Sequence, residues 1–165
     1  MNRGGKPLGR TAAPARRKVT RITTSQPRTV RRETGFPPAV RKAVRERAGN
    51  CCEACGIYLG EHGGQIQHRL ARKSGGRHGA MRAVVSSVMN AVLLCGTPFT
   101  GCHGECEGRG RPGDRDMLAE GFRLEEGQDP AAEPVRLHSE SGSGCTKWLT
   151  PDGLYSDTPP EGMAA

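Results

Sequence analysis

Two pairs of cysteines set the tightest limit on how this chain can fold. The first is Cys52-Glu53-Ala54-Cys55, followed at once by Gly56, and the second is Cys95 with Cys102. Cys-x-x-Cys-Gly reads as a metal-binding knuckle, and a thiolate pair from each of two segments is the usual way to close a tetrahedral zinc site. Cys52, Cys55, Cys95 and Cys102 are therefore the expected structural zinc ligands, with Cys51 and Cys106 as possible substitutes; Cys145, in a Gly/Ser stretch, has no evident partner. No hydrophobic signal-peptide core follows the start. The expected compartment is a reducing cytoplasm, where clustered cysteines hold metal more often than they form disulfides.

The metal matters because the chain has little else to fold around. It has 165 residues, 34% of them hydrophobic, with three Phe, two Tyr and one Trp, enough for one modest core and a single domain with tails. Structural zinc in small modules contributes on the order of 10 kcal/mol to folding, so zinc is expected to be a folding requirement. The best apolar stretch, Ala91-Val92-Leu93-Leu94, is far short of the roughly 18 residues a membrane span needs, and no membrane association is expected.

Charge is distributed as a gradient. The first 32 residues carry ten Lys and Arg and no acid; residues 33–103 sum to +5 and residues 104–165 to −7, giving the overall +8. The leading segment pairs its charge with Gly, Pro, Ser and Thr, and cannot bury enough apolar surface to offset the entropy of ordering. Residues 1–35 are expected to be a disordered basic arm suited to phosphate backbones, where each neutralised phosphate releases condensed counterion.

Pro37-Pro38 and Gly49 bracket a short basic helix over 39–49. Gly64–Leu70 alternates like a strand, residues 71–80 form a basic Gly-rich loop, and Ala91–Leu94 is a second strand ending in Cys95. A short helix starts within 102–108. Asp116–Leu124 suggests a helical turn and then a strand, and Trp148-Leu149 and Leu154-Tyr155 flank a Pro-Asp-Gly turn that makes a small C-terminal hairpin. The domain plan is an arm (1–35), a domain with the zinc knuckle (36–125) and a C-terminal extension with a short hairpin and frayed tail (126–165).

Between and after the cysteine pairs lie Gln67-His68-Arg69-Leu70-Ala71-Arg72-Lys73-Ser74-Gly75-Gly76, then Asn90 ahead of Ala-Val-Leu-Leu-Cys95, then Cys102-His103. With Cys52-Glu-Ala-Cys55-Gly before them, and Gly121-Phe122, Pro134-Val135 and Trp148-Leu149…Asp152-Gly153…Tyr155 after them, this order resembles the HNH endonuclease family, in particular small members from bacteriophages and actinobacteria. The resemblance covers residues 38–155. It implies an α+β fold of the ββα-metal type, two antiparallel strands and a helix around one divalent ion.

It also implies roles. His68 would be the general base that deprotonates a water for attack on a DNA phosphodiester, a task suited to a near-neutral pKa. Asn90 would tie the loop between the strands so that His68 is held in place, and His103 would be a ligand of the catalytic metal. Two positions depart from the family pattern. Gln67 stands where a metal-binding His or Asp is usual, and Glu107 stands where some relatives place another His. The expected catalytic-metal set is His103 and Glu107 with Gln67 as a weak or water-mediated third, an oxygen-rich set that favours Mg²⁺ or Mn²⁺.

Arg69, Arg72, Lys73 and Arg77 lie beside the base and are expected to hold the backbone of double-stranded DNA, positioning it without reading sequence. The expected activity is metal-dependent DNA cleavage by nicking or double-strand breakage, in a bacterial host cytoplasm, alongside a phage terminase in genome packaging or as a homing-type nuclease. The rival reading is a non-catalytic zinc-knuckle DNA-binding protein. The sequence leaves the oligomeric state open.

Overall fold

A computed structural model describes residues 35–73, 76–108, 115–139 and 144–160; most of the expected arm over 1–35 lies outside the described residues. Helix α1, Pro38–Arg47, begins at a proline whose missing N–H would have had no partner in the first turn. It ends in a Schellman motif: Gly49 sits at φ +56°, its N–H reaches the Glu46 carbonyl, and the Asn50 N–H reaches that of Arg45. The expected end at Gly49 is thus the cap that follows the helix.

Strand β1, Gln65–His68, pairs antiparallel with β2, Ala91–Leu94, in a register that sets Gln65 against Leu94 and His68 against Ala91. All four residues of β2 are buried. Its period of two divides them between two apolar groups. Ala91 and Leu93 pack with Phe36, Val44 and Val88; Val92 and Leu94 pack with Cys52, Cys102, Phe122, Val135 and Leu149. β2 is the central spine of the molecule, which is why it carries no polar side chain.

The connection from β1 to β2 contains helix α2, Ala80–Val85, and a 3-10 turn, Val88–Asn90. No helix is expected there from the sequence pattern. Helix α3, Gly101–Cys106, follows β2 and is shorter than the 102–108 expectation. The strand expected near Leu124 is reduced to a single bridge with Leu70.

The second sheet is antiparallel and three-stranded: β3, Val135–Leu137; β4, Cys145–Leu149; and β5, Tyr155–Ser156, in the order β3-β4-β5. The expected hairpin is β4-β5, with Leu149 opposite Tyr155. Through Val135, Leu137 and Leu149 this sheet joins the same core as Cys52, Val92 and Phe122, so residues 126–160 complete the core of the 36–125 segment. The fold is a small α+β arrangement with two antiparallel sheets.

Candidate metal centre and adjoining cleft

The Sγ atoms of Cys52, Cys55, Cys95 and Cys102 all lie within 4.8 Å of one another, and those of Cys55 and Cys95 are 3.7 Å apart. Four sulfurs bound at about 2.3 Å around a tetrahedral ion are separated by about 3.8 Å. The cluster therefore fits zinc. The substitutes are placed elsewhere: the Cys51 thiol points to the Gly49 carbonyl at 3.6 Å and the Cys106 thiol to the Phe122 carbonyl at 3.3 Å. Cys145 opens β4 and packs against the larger apolar group.

Backbone turns bring the four thiols together. Gly56 has φ +76° and its N–H reaches the Cys52 carbonyl at 2.8 Å. A Cβ there would lie 2.1 Å from the His138 ring, so only glycine fits. In the second knuckle, the His103 N–H bonds to the Cys95 carbonyl at 3.0 Å, and the Cys95 N–H points at the Cys52 sulfur at 3.3 Å. The Cys102 thiol, helped by the backbone N–H groups of Cys55 and Cys95, pulls the Cys52 thiol down to about 4 against the opposing effect of burial. Burial pushes Cys55 up to about 11, and the bond to Cys52 drives Cys102 upward too. Metal binding requires deprotonated thiols, so a cation at this cluster would favour their ionised forms.

Glu53, inside the first Cys-x-x-Cys, is a buried carboxylate that sequence reasoning missed. It accepts the Leu93 N–H at 2.5 Å, two guanidinium bonds from Arg47 at 3.0 and 3.3 Å, and the Tyr155 hydroxyl at 2.6 Å. Burial, reinforced by the Glu53 carboxylate, holds the Tyr155 hydroxyl protonated well above its ordinary range. One residue thereby fastens α1, β2 and β5 to the knuckle. Its only sequence signal is an acid in a segment that must be interior.

Beyond α3 lies a cleft of about 500 Å³ whose lining includes Gln67, His68, Lys73, Arg77, Glu107 and Glu126. His68 closes β1 with one ring face against Phe36, the centroids 3.9 Å apart and the planes 17° from parallel. Burial, and secondarily the Arg72 cation, lower its pKa to about 4 against the pull of Glu107. That is below the near-neutral value expected, and it leaves the imidazole uncharged at pH 7. Burial also lowers the pKa of His103.

The side chains expected to hold a second metal are in mutual reach. His103 Nε2 is 2.8 Å from Gln67 Oε1, and Gln67 Nε2 donates to Glu107 Oε1 at 2.7 Å. His103 Nδ1 is buried and has no hydrogen-bond partner among the described residues. Asn90 is fully buried: its Oδ1 accepts the Leu70 N–H at 2.6 Å, and its Nδ2 donates to the Leu70 and Val85 carbonyls at 3.1 Å each. It clamps the backbone just past His68 to the end of α2.

Arg69 is a correction. It was expected at a DNA backbone but is 1% exposed, and its guanidinium donates to five carbonyls, those of Gly121, Met89, Pro130, Glu133 and Pro134. Its alternating strand neighbours gave no warning, because four of the five carbonyls that surround it come from residues 52 to 65 positions away. Arg69 has no donor left for phosphate. Lys73 and Arg77 do face the cleft, where both pair with Glu126. Arg72 is half-buried and acts on His68. The remaining histidines, His62, His78 and His138, are exposed.

No protein-family model, curated protein or solved structure matches the chain. Among the described residues no helix is long and apolar enough to cross a membrane.

Proposed function

We propose that the chain is a metal-dependent DNA endonuclease of the HNH type, acting on double-stranded DNA, with a structural zinc held by Cys52, Cys55, Cys95 and Cys102 and a separate Mg²⁺ or Mn²⁺ at the cleft. The observation that carries the reading is the convergence of β1, β2 and α3. The antiparallel pair presents His68 and Gln67 to the cleft, and α3 brings His103 and Glu107 to within hydrogen-bond reach of Gln67. Two antiparallel strands followed by a short helix, with these side chains converging, support a ββα-metal reading of the residues that the resemblance singles out.

The donor set suits a hard divalent ion: the Gln67 and Glu107 side-chain oxygens and the His103 imidazole, three donors in all. An ion held there supplies Lewis-acid stabilisation of the extra charge on the pentacoordinate phosphate and of the departing 3′ oxygen. The chain's own groups do the rest. His68, uncharged at neutral pH, takes the proton of the attacking water. Asn90 fixes the Leu70 backbone, two residues past His68. Lys73 and Arg77, with Arg72 beside them, grip phosphates after giving up Glu126. The Lys73–Glu126 pair is exposed at both partners and contributes little, so a polyanion displaces the carboxylate from Lys73 readily.

One observation favours the rival, a zinc-bearing DNA-binding module without catalysis. The Gln67 amide satisfies both His103 and Glu107 by itself, which an acid in its place could not do. Supercoiled plasmid incubated with zinc-loaded protein separates the two. Nicking that appears only on addition of Mg²⁺ or Mn²⁺ is expected of the nuclease. Retarded plasmid that stays intact with every divalent ion would point to the binding module.

A further inference from the structure

Histidine's outer side-chain torsion is soft, with broad preferences about the bond to the ring. Something must therefore fix the plane of an imidazole that has to aim one nitrogen at a water. Among the described residues no hydrogen bond holds the His68 ring, and Asn90 fastens the backbone of Leu70 and leaves the ring untouched. Among the described residues the directional contact on the ring is the face of Phe36, stacked at 3.9 Å and 17°.

Phe36 is itself immobilised. It is 4% exposed and packed with Val44, Val88, Ala91 and Leu93, so both α1 and the β2 spine hold it. The next residue, Pro37, has its φ fixed at −55°, and its carbonyl accepts the Arg41 N–H at 3.0 Å, which ties the approach of the chain to the first turn of α1. Such a ring is a rigid wall on one side of the imidazole, while the rest of His68 lines the cleft.

We propose that Phe36 is a positioning residue: its face sets the plane of the His68 ring so that the free edge points into the cleft, and it keeps water from the opposite side. The proposal rests on the nuclease reading of the same cleft. Misorienting a reacting group lowers the rate of the chemical step without weakening the hold on the rest of the substrate. Phe36 therefore acts on kcat and leaves KM alone.

The test compares Phe36→Leu, which keeps an apolar side chain but removes the flat face, with Phe36→Tyr, which keeps the face. Plasmid nicking is followed with zinc-loaded protein and saturating Mn²⁺. Phe36→Leu should lose about 10- to 100-fold in kcat at near-wild-type KM, and Phe36→Tyr should recover most of it. Wild-type kcat in a folded Phe36→Leu protein overturns the proposal. A second measurement does not depend on either variant folding: the carbon-bound ring protons of His68 in the wild-type NMR spectrum should be shifted upfield by the stacked phenyl ring. Unshifted resonances overturn the proposal as well. Absence of any cleavage by wild-type protein overturns the nuclease reading and the positioning role with it, whereas failure of the Phe36 comparison alone leaves the nuclease standing.

Discussion

Two charged side chains, Arg69 and Glu53, show how far a residue's role depends on what the rest of the chain brings to it. Arg69 organises a loop by saturating five carbonyls, and burial lowers its pKa only to about 10, so it remains cationic. Replacing it with Met would strand those acceptors. We expect Arg69→Met to lower unfolding free energy by at least about 3 kcal/mol, read by urea denaturation, while the DNA affinity of the folded fraction is unchanged. A stable variant with weakened DNA binding would return Arg69 to the interface. His68 supports a second prediction. Because its folded pKa is lowered to about 4, the basic, uncharged form persists as pH falls through the ordinary histidine range. The acid limb of kcat for plasmid nicking, at saturating Mn²⁺, should then lie closer to 4 than to 6.5; an apparent pKa near 6.5 would show that the ring is not desolvated in the working enzyme.

At the scale of elements, the parts that could be read from sequence are those whose signal is local. Ala91–Leu94 is an apolar run of strand length, α1 is bracketed by Pro and Gly, and Pro-Asp-Gly marks the β4-β5 turn; each appears where the pattern put it. Helix α2 gave no such signal, having six residues and no side-chain cap at its start. β3 was missed because three residues are too few for alternation to register; its pairing with β4 makes it a strand. The candidate site divides the same way. Cys52, Cys55, Cys95 and Cys102 were legible from spacing, whereas the Phe36 stack and the Tyr155–Glu53 bond, 102 residues apart, exist only after folding. Asn90 joins α2 to the segment after β1 through three hydrogen bonds. Asn90→Ala should cost about 2–4 kcal/mol by chemical denaturation, since it leaves three buried backbone groups unpaired. A loss under about 0.5 kcal/mol, the level of an ordinary surface change, would mean the clamp is not needed.

For the molecule as a whole, the cysteine cluster and the second sheet share one core, in which Cys52 and Cys102 pack with Phe122, Val135 and Leu149. A zinc ion held by the four cysteines would brace both sheets, and its removal would loosen them. Chelation of zinc, or Cys52→Ser, should abolish cooperative thermal unfolding and the near-ultraviolet circular dichroism of Trp148, in keeping with a contribution on the order of 10 kcal/mol from structural zinc; an unchanged melting curve in metal-free protein would remove zinc from the folding account. On the proposed nuclease reading the cleft beside α3 does the chemistry, and the central claim is that His68 acts there as a base. The most direct measurement is the rate of plasmid nicking by wild type and His68→Ala at equal zinc content and saturating Mn²⁺. The account predicts a loss of about 10²- to 10⁴-fold in the variant, the range that general-base catalysis supplies. Equal rates from the two proteins would contradict it.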